Sequence, residues 1–307
     1  MQAKKKPGRP RKTPAKEQHP KRGIMLKPTN VNNHAELMCD KTAAFKKIWG
    51  FYKLMAVDKN NIVFRKEDIL ILNRDHHGKN RIWTRIDASK MNYYYCKSEL
   101  NIVVTCKNLE TVMFTIDKTY NMIFLHSRLD CTQTDIRAVL QNDMEIDETH
   151  KIELICDQGI PRDKVDDFSV NDYTISFKLP CKYFKKIITD IKASSNQLTI
   201  KQDGKDEPLI FEYIGKSKKV KSEYIVNNNK NIDFKSNLKP DETFQISVKI
   251  DYIRPISQAL LGDITIYAKE DHPVLFVIPV DKNTKDMGNM PAIEMRVLTE
   301  IVNDRLI

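Results

Sequence analysis

The sequence predicts an α+β protein made of two similar halves. Each half carries two helices packed on one face of antiparallel sheets, and a disordered basic tail precedes the first. Three observations carry this. The tetrapeptide Phe-Lys-Lys-Ile occurs at 45–48 and again at 184–187. Four stretches of helical periodicity begin near 42, 108, 181 and 251, so corresponding helices lie 139 and 143 residues apart. Short strand-like runs bounded by turn residues fill the intervals.

The bulk numbers agree. A length of 307 residues favours about two domains, each able to bury its own core. With 41% hydrophobic and 30% charged residues the chain is globular in composition, and no apolar run approaches the ~18 residues that span a bilayer. The basic N-terminus lacks the apolar stretch of a secretory signal. Cys39, Cys96, Cys106, Cys131, Cys156 and Cys181 form no C-x-x-C pair and no Cys/His cluster. No zinc site or disulfide framework is expected, and scattered thiols fit a reducing intracellular compartment.

Residues 1–30 hold Pro7, Pro10, Pro14, Pro20 and Pro28 and almost no large apolar side chains. Such a segment cannot bury enough surface to offset its ordering entropy, so it is expected to be disordered. A short apolar run at 35–39 leads into the first helix, 42–55, where Phe45, Ile48, Trp49, Tyr52 and Met55 share one face. Lys46, Gly50 and Lys53 share another, with Lys47 beside it; a flat spot on the basic face is one reason to keep a glycine there. Strands follow at 62–65, 68–73, 82–87, 93–95 and 100–106. A second helix is expected at 108–118, capped by Asn108, with Leu109, Val112, Met113 and Ile116 inward. Strands return at 122–126, 135–140 and 152–156.

The second half repeats the order. A strand at 173–179 runs to Pro180, which can open a helix because its missing N–H would be unpaired there. Phe184, Ile187, Ile188 and Ile191 form that helix's apolar stripe, and Lys182, Lys185, Lys186 and Lys192 lie away from it. Strands at 197–201, 208–214, 231–234 and 244–249 precede a fourth helix, 251–261, which carries Arg254. The last strands are 264–269, 274–280 and 293–298. Gly-Ile-Pro within the charged run 157–168 marks an interdomain connector. The expected organisation is therefore a tail at 1–30, domains at 31–156 and 169–307, and the connector between them.

Charge is unevenly placed. Residues 1–23 hold nine Lys/Arg against Glu17, a net +8 of the chain's +10. A DNA-facing surface in the body must therefore come from local segregation of charge. Lysines often populate ordinary solvated helix faces, but their recurrence in both halves points to a shared polyanion. Flexible ammonium groups satisfy phosphates without reading bases. The candidate DNA-binding set is Lys46, Lys47, Lys53, Lys182, Lys185, Lys186, Lys192 and Arg254, with Arg9, Arg11 and Lys12 in the tail. Pro7-Gly8-Arg9-Pro10-Arg11 resembles an AT-hook whose arginine before the glycine is replaced by Pro7. Minor-groove binding, non-specific tethering and a localisation signal all remain open for it.

His76-His77 and the Asp pairs 166–167 and 203/206 read as turn residues rather than metal or catalytic groups. No Gly-rich phosphate loop, nucleophile elbow or H-E-x-x-H is present. No enzyme, cofactor or metal is expected.

Four stretches in this order resemble the DNA sliding clamp, the proliferating cell nuclear antigen family, over roughly 35–307: AAFKKIWGFYKLM at 43–55, Gly159-Ile160-Pro161, LPCKYFKKIITDI at 179–191 and DITIYAKEDHPVLFVIPV at 263–280. The basic proline-rich tail resembles the branch of this family in asfarviruses and related large DNA viruses. The resemblance implies a head-to-tail homotrimeric ring with sheets outside and helices lining the bore. It also implies an interface pairing 120–127 of one chain with 208–214 of the next. Ile160, Pro161, His272, Pro273, Val297 and Leu298 would form a pocket for short hydrophobic peptides of a DNA polymerase and other replication and repair proteins. There are departures: Gln158 before the Gly-Ile-Pro, Thr299-Glu300 after the last strand, few basic residues on helix 108–118, and a basic loop at 216–221.

The expected function is a polymerase processivity factor encircling double-stranded DNA, with no membrane role, in the host nucleus or at a cytoplasmic viral replication site. The alternative is a clamp-fold late transcription factor or a monomeric DNA-bound scaffold.

Overall fold

The computed structural model describes residues 23–25, 27–40, 42–116, 120–129, 134–142, 147–152, 169–170, 173–215, 221–226, 233–259, 263–280 and 293–302. One order of elements runs through twice. The first pass is β1 (Asn33–Cys39), α1 (Thr42–Leu54), β2 (Lys59–Phe64), β3 (Asp68–Arg74), β4 (Asn80–Asp87), β5 (Tyr93–Cys96), β6 (Leu100–Thr105), α2 (Cys106–Thr115), β7 (Tyr120–Leu129), β8 (Thr134–Asn142) and β9 (Asp147–Ile152). The second is β10 (Ile175–Pro180), α3 (Cys181–Ser194), β11 (Gln197–Gln202), β12 (Leu209–Ile214), β13 (Lys221–Val226), β14 (Asp233–Ser236), β15 (Phe244–Lys249), α4 (Ile250–Ala259), β16 (Asp263–Ala268), β17 (Val274–Pro279) and β18 (Ile293–Thr299). A 3-10 turn at Ala88–Lys90 joins β4 to β5.

These strands pair antiparallel in three sheets, ordered β5-β1-β7-β8-β9, β14-β10-β16-β17-β18-β4-β3-β2-β6 and β13-β12-β11-β15. The nine-stranded sheet crosses from one half to the other where β18 pairs with β4. Its strands alternate sharply. Ile62, Phe64, Ile69, Ile71, Ile82, Phe276 and Val297 enter the main core under the helices. Val63, Leu70, Leu72, Trp83, Leu275 and Leu298 form a second apolar cluster on the opposite face. That is why β3 reads Ile-Leu-Ile-Leu rather than alternating with polar residues: both its faces are covered.

The helices form one layer. α1 packs against α2 and α4, and α4 against α3, giving the order α2-α1-α4-α3. The amphipathic stripes read from sequence are the buried ones: Phe45, Ile48, Trp49 and Tyr52 on α1, and Phe184, Ile187, Ile188 and Ile191 on α3. Phe184 meets Phe276 from β17 with ring centroids 6.1 Å apart. Pro255 lies inside α4, where its ring denies one intrahelical hydrogen bond; the Ser257 hydroxyl donates to the nearby Arg254 carbonyl at 2.8 Å.

Several expectations need correcting. α2 is capped by Thr105, whose hydroxyl accepts from the Asn108 N–H at 3.1 Å, so the helix starts two residues before the expected Asn108 cap. Leu109, Val112 and Ile116 are inward as expected; the side chain of Met113 and residues 117–119 lie outside the described residues. A strand at Asp147–Ile152 precedes the expected one at 152–156, of which only Ile152 lies within the described residues. Strand β13 begins at Lys221 within what reads as a basic loop, whose residues 216–220 lie outside the described set.

The tail does not extend to residue 30. Gly23 N–H donates to the Met91 carbonyl (3.1 Å), Met25 N–H to Tyr94 (2.7 Å) and Tyr94 N–H back to Gly23 (3.1 Å), adding a short parallel bridge along β5. Tyr93 donates its hydroxyl to the Lys27 carbonyl at 2.7 Å. Fully buried Glu36 then accepts from Thr29 N–H (2.8 Å), Thr29 hydroxyl (2.8 Å), Asn30 N–H (3.2 Å) and Asn33 Nδ2 (2.6 Å). Composition missed this because polar groups, not apolar burial, hold the segment.

Candidate nucleic-acid interface and partner surface

The helix layer turns its buried stripes toward the sheets and its lysines away from them. On α1, Lys46, Lys47 and Lys53 are exposed; on α3, so are Lys182, Lys185 and Lys186, with Lys192 half-buried. Arg254 is exposed on α4. The sequence-predicted cations of the body thus share one face of one layer.

They are not equally available. Lys46 donates to the Ile116 carbonyl just past α2, at 2.6 Å. There it satisfies an acceptor at the negative end of a helix. Lys53 pairs with Glu110 on α2, and Lys192 reaches Asp251 on α4 at 3.5 Å. Lys47, Lys182, Lys185 and Lys186 form no ion pair among the described residues. The surface is therefore more cationic over α3 than over α2, which contributes Lys107 and Glu110 as its charged residues. These exposed pairs are each worth only about 0–1 kcal/mol and can be exchanged for a phosphate. Gly50 lies on the same exposed face, but a Cβ there would meet nothing within 4 Å, so no intramolecular contact requires the glycine. Arg9, Arg11 and Lys12 lie outside the described residues.

The second apolar cluster marks the other surface. It straddles the seam between β4 and β18, with Val170, Tyr173, Tyr267 and Val277 packed at its margin. Arg296 covers Trp83 at 5.0 Å and is held by Glu294 at 2.7 Å. Of the expected pocket residues, Leu298 belongs to this cluster. Pro273 is half-buried beside it and accepts from the Tyr173 hydroxyl at 3.3 Å. His272 is exposed at the adjoining turn, its Nδ1 bonded to the Glu270 carbonyl at 2.9 Å. Val297 faces the main core and cannot line the same surface, since successive strand residues point to opposite faces. Ile160 and Pro161 lie outside the described residues. Sequence reading missed Leu70, Leu72, Trp83 and Leu275, although the continuous apolar run 69–72 signalled a strand covered on both faces.

His76-His77 sits on the turn between β3 and β4, where buried Asp75 accepts from the Asn80 N–H and Nδ2, both at 2.9 Å. Among the described residues no group of three His, Cys, Asp or Glu is placed to hold a metal ion.

The edge strands differ from expectation. β7 lies between β1 and β8, and β12 between β11 and β13, so both strands named for the subunit interface are interior. A central strand has no free backbone groups to offer. Among the described residues, the strands paired on one side only are β9 in the first of these sheets and β13 in the second. The far edges of the same two sheets are closed: β5 by residues 23–25, and β15 by a bridge from Ile301 to Val248 and by Val302 N–H on Ser247 at 2.7 Å. Near β13 three large apolar side chains are exposed: Tyr183, Ile214 and Ile225.

No family model matches the chain. It is 24% identical over 295 residues to an uncharacterized protein of African swine fever virus, covering 92% of this chain and 97% of that protein, in both the Tick/Malawi and Warthog/Namibia isolates. Among solved structures it superposes on the proliferating cellular nuclear antigen of Entamoeba histolytica with a TM-score of 0.69 and 11% identity, over 88% of this chain and all of that one. The corresponding protein of Thermococcus kodakaraensis gives 0.71 and 14%, over 87% and 100%. The fold is that of a sliding clamp.

Proposed function

We propose that this chain is a DNA sliding clamp: a homotrimeric ring that encircles duplex DNA and tethers a polymerase and other replication or repair proteins. The observation that carries the reading is the single helix layer with its lysines on one exposed face, in a clamp fold. On this reading the chain divides into clamp domains at 31–156 and 169–307, joined by the connector 157–168. Topology supplies residence time, so each phosphate contact can stay weak. Short hydrophobic peptides of partner proteins dock at the half-buried margin of the second apolar cluster, on Val170, Tyr173, Tyr267 and Val277, beside Pro273 and His272.

Ring closure uses the open edges. β9 of one protomer meets β13 of the next, with Tyr183, Ile214 and Ile225 covered on assembly. Among the described residues the closed far edges leave those sheets one place each to extend, which suppresses wrong pairings.

Light scattering tests the reading. A mass of about three times 35.8 kDa is expected, and a stable monomer at micromolar concentration overturns the ring. Replacing Lys182, Lys185 and Lys186 by Glu should abolish polymerase stimulation on a closed circular template; unchanged processivity counts against the helix layer as the DNA face. The monomeric-scaffold reading draws on the intramolecular pairing of Lys46 and Lys53, and the same mass measurement decides between them.

A further inference from the structure

The outer face of the nine-stranded sheet changes character at the seam between β4 and β18. Strand register fixes which side chains surround Trp83 there. Across the strands it pairs with Leu72 on β3 and Arg296 on β18, and Arg81 and Arg85 flank it on the same face of β4. The diagonal positions are Leu70 and Arg74 on β3, and Glu294 and Leu298 on β18. A buried tryptophan is thus ringed by four arginines, three leucines and one carboxylate. Two of the arginines are set in place: Arg296 lies 5.0 Å over the Trp83 ring and is held by Glu294 at 2.7 Å, and Arg85 is held by Asp68 at 2.8 Å. Arg74 is exposed and stands directly opposite Arg81, a like-charge pairing that costs the sheet stability. The neighbouring carboxylates are engaged, since Asp68 also takes Arg65 at 2.6 Å and Glu300, just past β18, takes Lys79 at 2.8 Å.

We propose that this arginine ring selects partners by charge: the hydrophobic peptides that dock at the apolar margin carry carboxylates about three residues from their anchors. This rests on the peptide-docking reading above and names the class of peptide. Val277 of the margin pairs with Arg296, and Arg81 and Arg85 lie one strand further, on β4. Two strand spacings are about 10 Å, which about three extended residues span. An anchor on Val277, Tyr267 or Tyr173 therefore brings the following side chains among the guanidiniums. A guanidinium is weakly hydrated and offers a planar fork that matches a carboxylate. Nucleic acid fits this face less well. Its sugar-phosphate chain would leave the interleaved leucines uncovered, and the exposed lysines that suit phosphates lie on the helix layer, across the sheet. Such a surface draws in an acidic peptide and repels a basic one.

The test measures fluorescence anisotropy of labelled synthetic peptides on the full native chain. All carry the same pair of aromatic anchors, followed about three residues later by a pair of Asp, Ser or Lys. The Asp peptide should bind at least about fivefold more tightly than the Ser peptide, and the Lys peptide more weakly still, with the differences shrinking as salt rises. Arg74→Glu reverses an exposed charge without opening the core, and an unchanged melting temperature establishes that it folds. In that variant the Asp peptide should lose at least about threefold in affinity, the Lys peptide should gain, and the Ser peptide should be unaffected. Equal binding of the three peptides by the native chain overturns the charge selection and leaves peptide docking standing. A preference for Lys overturns it as well, as does an Arg74→Glu chain whose preference for Asp is undiminished. If duplex DNA displaces the Asp peptide from a chain already carrying Lys182, Lys185 and Lys186→Glu, the arginines serve nucleic acid and the proposal fails. If no peptide binds, the docking reading falls and the proposal with it.

Discussion

Glu36 has no exposed surface, and burial works to raise its pKa. The hydrogen bonds from the Thr29 backbone, Asn33 and the Thr29 hydroxyl outweigh that and hold its carboxyl below the ordinary value. A depressed carboxyl contributes stability that is fully present above the unfolded pKa and is lost as pH falls through the folded one. Amide exchange at Thr29 and Asn30 should therefore be slow at neutral pH and accelerate only below the usual glutamate range. Faster exchange on raising the pH from 5 to 7, beyond intrinsic chemistry, would contradict the assignment. Glu36→Gln should cost about 1–3 kcal/mol, read by thermal melting, because an amide cannot accept all four bonds. Asp68 behaves in the same sense: burial raises its pKa, and the guanidinium bonds of Arg65 (2.6 Å) and Arg85 (2.8 Å) bring it below normal. Gly50→Ala should stabilise α1 by up to about 1 kcal/mol and leave duplex affinity unchanged, since the exposed site is open. Weaker binding by that variant would show that DNA approaches the helix backbone closely at residue 50.

Amphipathic periodicity made the helices legible element by element, because 3.6-residue spacing reports directly which side is buried. Phe184 was identifiable as core on that ground alone, and Phe184→Ala should cost about 3–5 kcal/mol by leaving a cavity against Phe276. Helix ends were less legible. Thr105 and Asn108 are both good caps, and only the backbone geometry chooses between them. The sheets were readable as strands but not as neighbours. Nothing local in 120–127 or 209–214 says that each lies between two others, since strand order depends on contacts far apart in sequence. For the same reason β9, with Asp147, Glu148 and Lys151 among its six residues, does not stand out as an edge strand. Ile225→Glu tests the edge assignment: Ile225 is 57% exposed, so the monomer fold should survive while light-scattering mass falls toward 35.8 kDa. A trimer with unchanged dissociation behaviour would place the interface elsewhere.

For the molecule as a whole, the repeated tetrapeptide reported a duplication, and the charge count separated tail from body. Composition could not show that the cations of α1 are partly consumed by α2. A grip weighted toward α3 follows: reversing Lys182, Lys185 and Lys186 should flatten the salt dependence of duplex binding more than reversing Lys46 and Lys53. The opposite ranking in matched titrations would place the main grip on the first half. The seven-residue register between β4 and β18 stitches the two halves of the chain into one continuous sheet. On the proposed reading this seam stiffens the subunit at its middle, so a ring of three would admit DNA by parting at a joint between neighbours. Machinery that opened it would have to prise strand from strand there, each protomer travelling as an unbending arc.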